Sequence, residues 1–566
     1  MTAADRGPGA SAPGATATTA TETAAPGATE TGATAPATAA PGQTAPTAPG
    51  TPGATHASGR PPRPATSRRE PWLAPLLLRL HFYAGVLVGP FVLVAALTGA
   101  AYAVSPTLER ALYADELTAP VTASTVPLAE QVAAARAVVG EDAALVAVRP
   151  APEPGDTTRV MFAADGLLDG QTRAVFVDPA DASVRGDLPV YGTSGSLPLR
   201  TTISDLHRSL GLGDVGRVYS ELAASWLGVV VVGGVVLWVL RFRRTRGRAR
   251  LRRDLTRPDL RATGYRRPFT WHASTGILLA VGALFLSATG ITWSQFAGEN
   301  VTALRSALSW QAPALDTALD TALSDGSGAD ADGTGTAAGG SQPTAADPHA
   351  HHGGSSGAGG ATGPGGAGTS ATDVALDDTR FDSVLAAAQQ VNVDTGRVEI
   401  RPPAASGTAW TVTEIGRSWP TQVDAVAVDG DTLATVDRTD FADHPFMAKL
   451  ARWGIDAHMG TLFGLPNQLL LVVTALGLAT MVVLGYAMWW TRRPTRPAGA
   501  PRSWRPGRPA AAGALARAPW WGLGLVGLVA VGLGTFLPVL GVSLLAFVLV
   551  DALVTVARVP GAPPAG

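Results

Sequence analysis

Four stretches of this chain carry no charged residue at all: Phe82–Val104, Leu222–Leu240, Ala273–Trp293 and Leu469–Trp490. At about 1.5 Å of rise per residue, each helix is long enough for the roughly 30 Å hydrocarbon core of a bilayer. No soluble fold needs four such runs, so the chain reads as an α-helical integral membrane protein. A fifth region, Pro519–Val550, is uncharged for 32 residues. As one straight helix it would be about 48 Å long, too long for a single crossing. The sequence "LGTFLPVLG" at 533–541 offers glycine and proline for a break, which predicts a hairpin of two short helices and six crossings in all.

Arginine sets the expected orientation. The loop Arg241–Arg267 holds twelve Arg against Asp254 and Asp259, and Thr491–Ala518 holds seven Arg and no acid. Both belong on the cytoplasmic side by the positive-inside rule. Arg60, Arg63, Arg68 and Arg69 ahead of the first span agree. The expected plan has a disordered cytoplasmic tail (1–70), a first span (75–104), an external segment (105–221) and a second span (222–240). A basic loop (241–267), a third span (272–294), a second external segment (295–468) and a fourth span (469–490) follow. A basic linker (491–518) and the hairpin (519–556) complete it. Both termini would be cytoplasmic, in a multi-pass protein of the plasma (inner) membrane. No secretory cleavage pattern is seen, so the first span is expected to stay as an anchor.

Residues 1–66 are nearly all Ala, Thr, Pro and Gly and cannot bury enough apolar surface to fold. A similar tract at 313–372 contains "HAHHGGSSGAGG". His349, His351 and His352 there could grip a metal ion, but no second ligand set is visible, and a polar linker is the preferred reading. With no cysteine in the chain, disulfides, thiolate metal sites and iron–sulfur ligation are excluded. The basic inter-half loop is read as topological rather than as a nucleic-acid site.

With the linker set aside, the external segments look alike. "LAEQVAAARAVVG" (128–140) reads as an amphipathic helix, followed by strand-like "ALVAVRP", "TRVMFAAD" and "TRAVFVDP". "FDSVLAAAQQV" (381–391) reads as a helix before "GRVEIRP", "AWTVTEI" and "DAVAVDG". Each segment therefore predicts a small α+β module of about 60 residues, the second near 376–442.

The membrane segments repeat too. His81 and His272 each open an apolar run, with Gly85 and Gly276 four residues on and Gly99 and Gly290 eighteen on. Eighteen residues at about 100° make five turns, so each histidine shares a helix face with its glycines. Downstream, His207 lies 31 residues before Trp238 and His458 lies 31 before Trp489. The chain is a tandem duplication of helix, external module and helix, with a pseudo-twofold axis along the membrane normal.

Under that axis the histidines fall into two levels, His81 with His272 inside and His207 with His458 outside. Opposed imidazoles between helices suit a six-coordinate haem iron. Glycines on the ligand face would let a flat macrocycle approach. Two haems at different depths would divide a ~30 Å barrier into shorter hops. An interfacial histidine is also a common snorkelling or hydrogen-bonding residue, and duplication copies either kind. Arg79, Arg266 and Arg267 flank the inner histidines, where they could meet haem propionates or simply follow the positive-inside rule. "GLGDVG" (211–216) fits G-x-G-x-x-G but follows "LHRSL" rather than a βαβ strand, and is discounted as a nucleotide loop.

"RLHFYAGVLVGPFVLVAALTGAAY", "DLHRSLGLGDVGR", "WHASTGILLAVGALFLSATG" and "IDAHMGTLFGLPNQ…GYAMWWTRR" together resemble the PepSY-associated transmembrane proteins, the iron-regulated membrane proteins and ferrisiderophore reductases. The resemblance covers roughly 75–495, and the two external modules are similar to PepSY domains. It implies a membrane reductase that holds haem b on histidines, here His81, His207, His272 and His458, and passes electrons outward to a ferric substrate. The tail, the linker and the C-terminal hairpin depart from the family pattern.

The leading expectation is thus a two-haem electron carrier that reduces an external ferric chelate. Its donor would be a separate protein or a membrane quinol, since no flavin or nicotinamide domain is evident. A rival is a non-enzymatic scaffold whose PepSY modules bind a partner such as a peptidase. A third is an iron-chelate permease, disfavoured because Pro90 in the first span has no counterpart at Val281.

Overall fold

The computed structural model describes residues 72–319, 377–492 and 515–557. The tail expected at 1–70, and most of the 313–372 linker with its three histidines, lie outside the described residues. The first half runs α1 (Leu73–Leu87), α2 (Gly89–Leu112), a single turn α3 (Ala114–Leu117) and α4 (Leu128–Val139). Strands β1 (Leu145–Arg149), β2 (Thr158–Phe162), β3 (Gln171–Val177) and β4 (Val184–Tyr191) follow, then α5 (Pro198–Ser209) and α6 (Gly213–Arg244). After the basic helix α7 (Ala249–Thr256) the order recurs with α8 (Arg266–Thr292), α9 (Gln295–Ala307) and α10 (Arg380–Gln390). It continues through β5 (Val398–Arg401), β6 (Trp410–Glu414), β7 (Ala425–Val428) and β8 (Thr435–Thr439) to α11 (Phe446–His458) and α12 (Leu465–Thr491). A hairpin of α13 (Trp520–Phe536) and α14 (Pro538–Ala557) follows.

Among the described residues four helices, α2, α6, α8 and α12, are long and apolar enough to cross a membrane. The sequence reading counted six crossings. The two hairpin helices form, with their break at Pro538, but they are shorter than the other four. Gly541 sits so close to the Gly534 backbone that a Cβ there would lie 2.6 Å from its carbonyl oxygen. In the bundle α2 and α8 each pack against both α6 and α12, which puts α2 and α8 on opposite corners. Small side chains (Ala96, Ala100, Ala283, Ala475 and Ala479) let the backbones approach at the centre.

The first span departs from the single helix expected. It breaks between Val88 and Gly89, with Pro90 in the first turn of α2. Proline has no amide hydrogen to give the carbonyl four residues back. That carbonyl, of Val86, instead accepts a hydrogen bond of 2.6 Å from the hydroxyl of Tyr486 on α12. A polar group stranded in hydrocarbon is costly, so Tyr486 is what makes the break tolerable. The turn arithmetic that places His81, Gly85 and Gly99 on one face assumes a single continuous helix, whereas Val88 here separates α1 from α2. The arithmetic holds for His272, Gly276 and Gly290 on the unbroken α8.

The two segments expected outside the membrane do not form two separate modules. Their strands join in one eight-stranded antiparallel sheet of order β4-β3-β2-β1-β5-β6-β7-β8. The seam is the β1–β5 pair, with Val148 opposite Ile400, and an antiparallel pair carries its own local twofold axis. Helices α4 and α10 cover one face over a single shared core that includes Val148, Phe162, Val175, Phe381, Ile400 and Val412. The halves are also stitched between helices. The carboxylate of Asp382 on α10 accepts the first two amides of α4, from Leu128 and Ala129, at 2.9 and 3.1 Å. It thereby satisfies otherwise orphaned donors and complements the helix dipole. Arg136 reaches Asp378 with two nitrogens, at 2.6 and 3.2 Å.

Phe381 is fully buried, edge-on to Trp410 with ring centroids 4.9 Å apart. Phe381→Ala is expected to destabilise the sheet by about 3–5 kcal/mol, read as a lowered thermal midpoint in the strand region of the circular dichroism spectrum. Phe381→Leu should recover most of the loss. Because the core is shared, both halves should melt together in each variant.

Candidate functional site

The four histidines occupy two levels, each with one ring from each half. At the inner level His81 on α1 and His272 on α8 face one another, ring centroids 6.1 Å apart and planes at 86°. Nδ1 of His81 lies 3.0 Å from the carbonyl oxygen of Val230 on α6. A carbonyl only accepts, so Nδ1 carries the proton and Nε2 keeps its lone pair. One turn further along α6 is Gly234, where a Cβ would come 3.0 Å from His81 Cε1. Glycine there lets the imidazole lie on the α6 backbone. His272 Nδ1 is buried without a hydrogen bond.

The outer level repeats a single device. His207, in the last turn of α5, has Nδ1 2.9 Å from the hydroxyl oxygen of Thr98 on α2. His458, at the end of α11, has Nδ1 2.6 Å from that of Thr289 on α8. Each hydroxyl donates its own hydrogen one turn back, Thr98 to Val94 O and Thr289 to Phe285 O, both at 2.8 Å. The oxygens are therefore left to accept from Nδ1–H, and again Nε2 keeps its lone pair. Trp293 stands edge-on to His458 with centroids 4.9 Å apart. Gly99 lets the ring lie close, since a Cβ there would be 3.2 Å from His207 Cε1 and would push the imidazole aside.

His207 and His458 line one cavity of about 230 Å³, together with Gly99 and Gly290. Its inner end is apolar, with Ala95, Ala96 and Leu478; toward the sheet it meets Tyr102, Arg208 and Arg417. The charges around this outer end are buried and largely paired. Glu109 holds Arg200 at 2.7 Å, Glu399 lies between Arg149 and Arg401, and Asp456 accepts from Arg452 at 2.8 Å. Burial pushes the Asp456 carboxyl above its ordinary range, with Arg452 pulling it back. Burial, with Arg452 next, also pushes the Arg417 guanidinium down to about 10.

The remaining sequence candidates are spread more widely. Gly85 faces open space, whereas a Cβ at Gly276 would meet Met481 Cε at 2.8 Å. Gly290 packs closely on Ala224. Arg79 is buried, its guanidinium 5.1 Å from the centre of the Tyr83 ring. Arg266 is held by Asp254 and Asp259 at 2.7 and 3.0 Å, and Arg267 is exposed. The glycines of "GLGDVG" make the α5–α6 turn. Gly211 and Gly213 have φ of 70° and 59°, and Gly216 is pressed against the Ser209 carbonyl. Gly234, Arg208 and Arg417 were not singled out by the sequence. Thr98 and Thr289 each stand 17 residues after an inner histidine, a repeat whose hydrogen-bonding role no local pattern reveals.

Among the described residues no cluster of three or more His, Cys, Asp or Glu could hold a bare metal ion. Each level instead offers two imidazole nitrogens and small residues beside them. That donor set suits a metal whose other ligands come from a planar macrocycle. The fold and site define a multi-pass membrane protein with a duplicated helix bundle, histidine pairs at two depths and a sheet over one end. Residues 78–492 match the family model described as the PepSY-associated TM region, and the chain belongs to that family. Comparison with curated proteins gave no match.

The hydroxyl contacts fix the tautomer of the outer rings, and this is measurable. In nitrogen-15 histidine spectra of the membrane-embedded protein, His207 and His458 are expected as Nδ1–H tautomers. Thr98→Val should release His207 alone, and Thr289→Val should release His458 alone. An unchanged His207 signal in Thr98→Val would remove the hydroxyl from its supporting role.

Proposed function

We propose that this protein carries electrons across the plasma membrane through two bis-histidine haem b groups, His81 with His272 and His207 with His458. It would deliver them to a ferric chelate on the external side. The observation that carries the reading is the inner pair. Two metal–nitrogen bonds of roughly 2 Å and two ring radii of about 1 Å place paired axial imidazole centroids about 6 Å apart; the observed spacing is 6.1 Å. When bound, haem supplies reversible one-electron chemistry at its iron.

The chain's own residues supply the rest. Val230 O, Thr98 and Thr289 hold Nδ1 protons and orient the rings, the outer support that histidine metal ligands ordinarily have. Gly99 and Gly234 leave room for rings to lie against helices. The arginines of the loop 241–267 support a cytoplasmic position for it. With that orientation His207, His458 and the sheet would lie on the external side, where a chelate would arrive. The electron donor is a separate protein or a membrane quinol.

The purified protein is expected to give a reduced-minus-oxidised haem b spectrum and two haems per chain by pyridine haemochrome. His81→Ala and His272→Ala should each remove the same haem, and His207→Ala and His458→Ala the other. One substitution at each level should leave none. A folded but colourless protein from haem-replete cells would overturn the proposal.

A further inference from the structure

We infer that Arg417 and Arg208 form an anion-binding edge to the outer cavity, built to hold the carboxylates of the ligand that His207 and His458 grip. This deepens the haem reading and rests on it. The first observation is that one cavity touches both histidines and both arginines. A ligand filling it would have its apolar body among Ala95, Ala96 and Leu478 and one edge against guanidinium groups.

The second observation is what Arg417 lacks. Its Nη1 donates only to the thioether sulfur of Met459, at 3.6 Å, and sulfur is a weak acceptor. The acids nearby contact other arginines: Asp456 contacts Arg452, attracting Arg417 only through space, while Glu399 contacts Arg149 and Arg401, and Glu109 contacts Arg200. Among the described residues no carboxylate pairs with Arg417. A largely buried guanidinium with no anion in contact is unfavourable, and the geometry places this one on the wall of a cavity.

The third observation comes from the duplication. Met459 stands 251 residues after Arg208, the interval that separates His458 from His207. The second half has therefore lost the arginine that follows its outer histidine. Arg417, arriving from the end of β6, lays its guanidinium on the residue in that place. Each half thus sets one guanidinium beside its outer histidine by a different route. Arg208 donates to the hydroxyl of Tyr191 at 2.8 Å, which steadies it at the cavity wall. Arginine's fork suits carboxylates better than a point charge does.

Apoprotein of the full chain carrying His272→Ala, which leaves only the outer site, is titrated with haemin and with its dimethyl ester, whose carboxylates are masked. Haemin is expected to bind at least tenfold more tightly than the ester. Adding Arg417→Gln should abolish most of that preference, and Arg417→Lys should keep part of it. The same Gln variant should shift the midpoint potential of the outer haem and leave the inner one, measured with His272 restored, unchanged. Equal binding of acid and ester before Arg417 is changed, or an undiminished preference in Arg417→Gln, would overturn the inference while leaving the haem reading intact. Failure of both forms to bind would sink the haem reading, and the inference with it.

Discussion

An imidazole inside a helix bundle has two nitrogens, and the neutral ring has one proton to place between them. Whatever accepts that proton decides what the other nitrogen can do. At His81, His207 and His458 the proton is claimed at Nδ1, by one carbonyl and two threonine hydroxyls. The remaining lone pair points away from the supporting helix. Without those acceptors each ring could rotate or exchange tautomers, and the two levels would lose their definition. The glycines at 99 and 234 then have a reason to lack side chains, since the supported rings occupy the space.

Those acceptors sit where they do because of the duplication. A twofold axis along the bundle places α2 opposite α8 and α6 opposite α12, so a hydroxyl that supports one outer histidine recurs for the other. The sheet obeys the same axis. Its seam is an antiparallel pair, the one strand pairing in which two copies of a strand can meet about a local twofold. Fusing both modules at β1 and β5 closes two edges that would otherwise present unpaired backbone. It also gives the halves a common core. The histidine levels are therefore roofed by one continuous sheet rather than by two separate ones.

Much of this was legible in the sequence, for identifiable reasons. Charge-free runs report bilayer thickness directly, and strict spacing between repeats reports symmetry, so four of the six expected spans and the facing of His81 and His272 could be read. Strands β1 to β3 and β5 to β7 alternate or are continuously apolar and were visible. The outer strands β4 and β8 were not, because "VRGDLPVY" and "TVDRT" lie at the sheet edges, are partly exposed and carry charges. The β1–β5 seam joins residues some 250 apart in the chain, and no local pattern encodes such a pairing. Pro90 was visible, yet whether it bends or breaks the span depends on Tyr486, 400 residues away from the carbonyl it serves. Arg417 gave no local signal, since its meaning lies in resting on Met459.

Where the two halves differ is as informative as where they agree. A perfect twofold along the bundle would make the two faces of a bound disc equivalent, while its edge toward the sheet would still differ from its edge toward the bundle. Three departures remove that equivalence. Pro90 breaks α2 away from α1, where Val281 leaves α8 straight. Arg208 is matched by Met459, and Arg417 enters from the sheet of the second half alone. The Trp226 indole donates to Ser543 on the hairpin at 2.8 Å, whereas its duplicate position holds Gly477 beside Leu279. Symmetry brings the histidines together in pairs, and where it fails locally, at Met459, Arg417 restores a guanidinium to the second half. Both guanidiniums line the cavity toward the sheet, which gives a direction to whatever binds there.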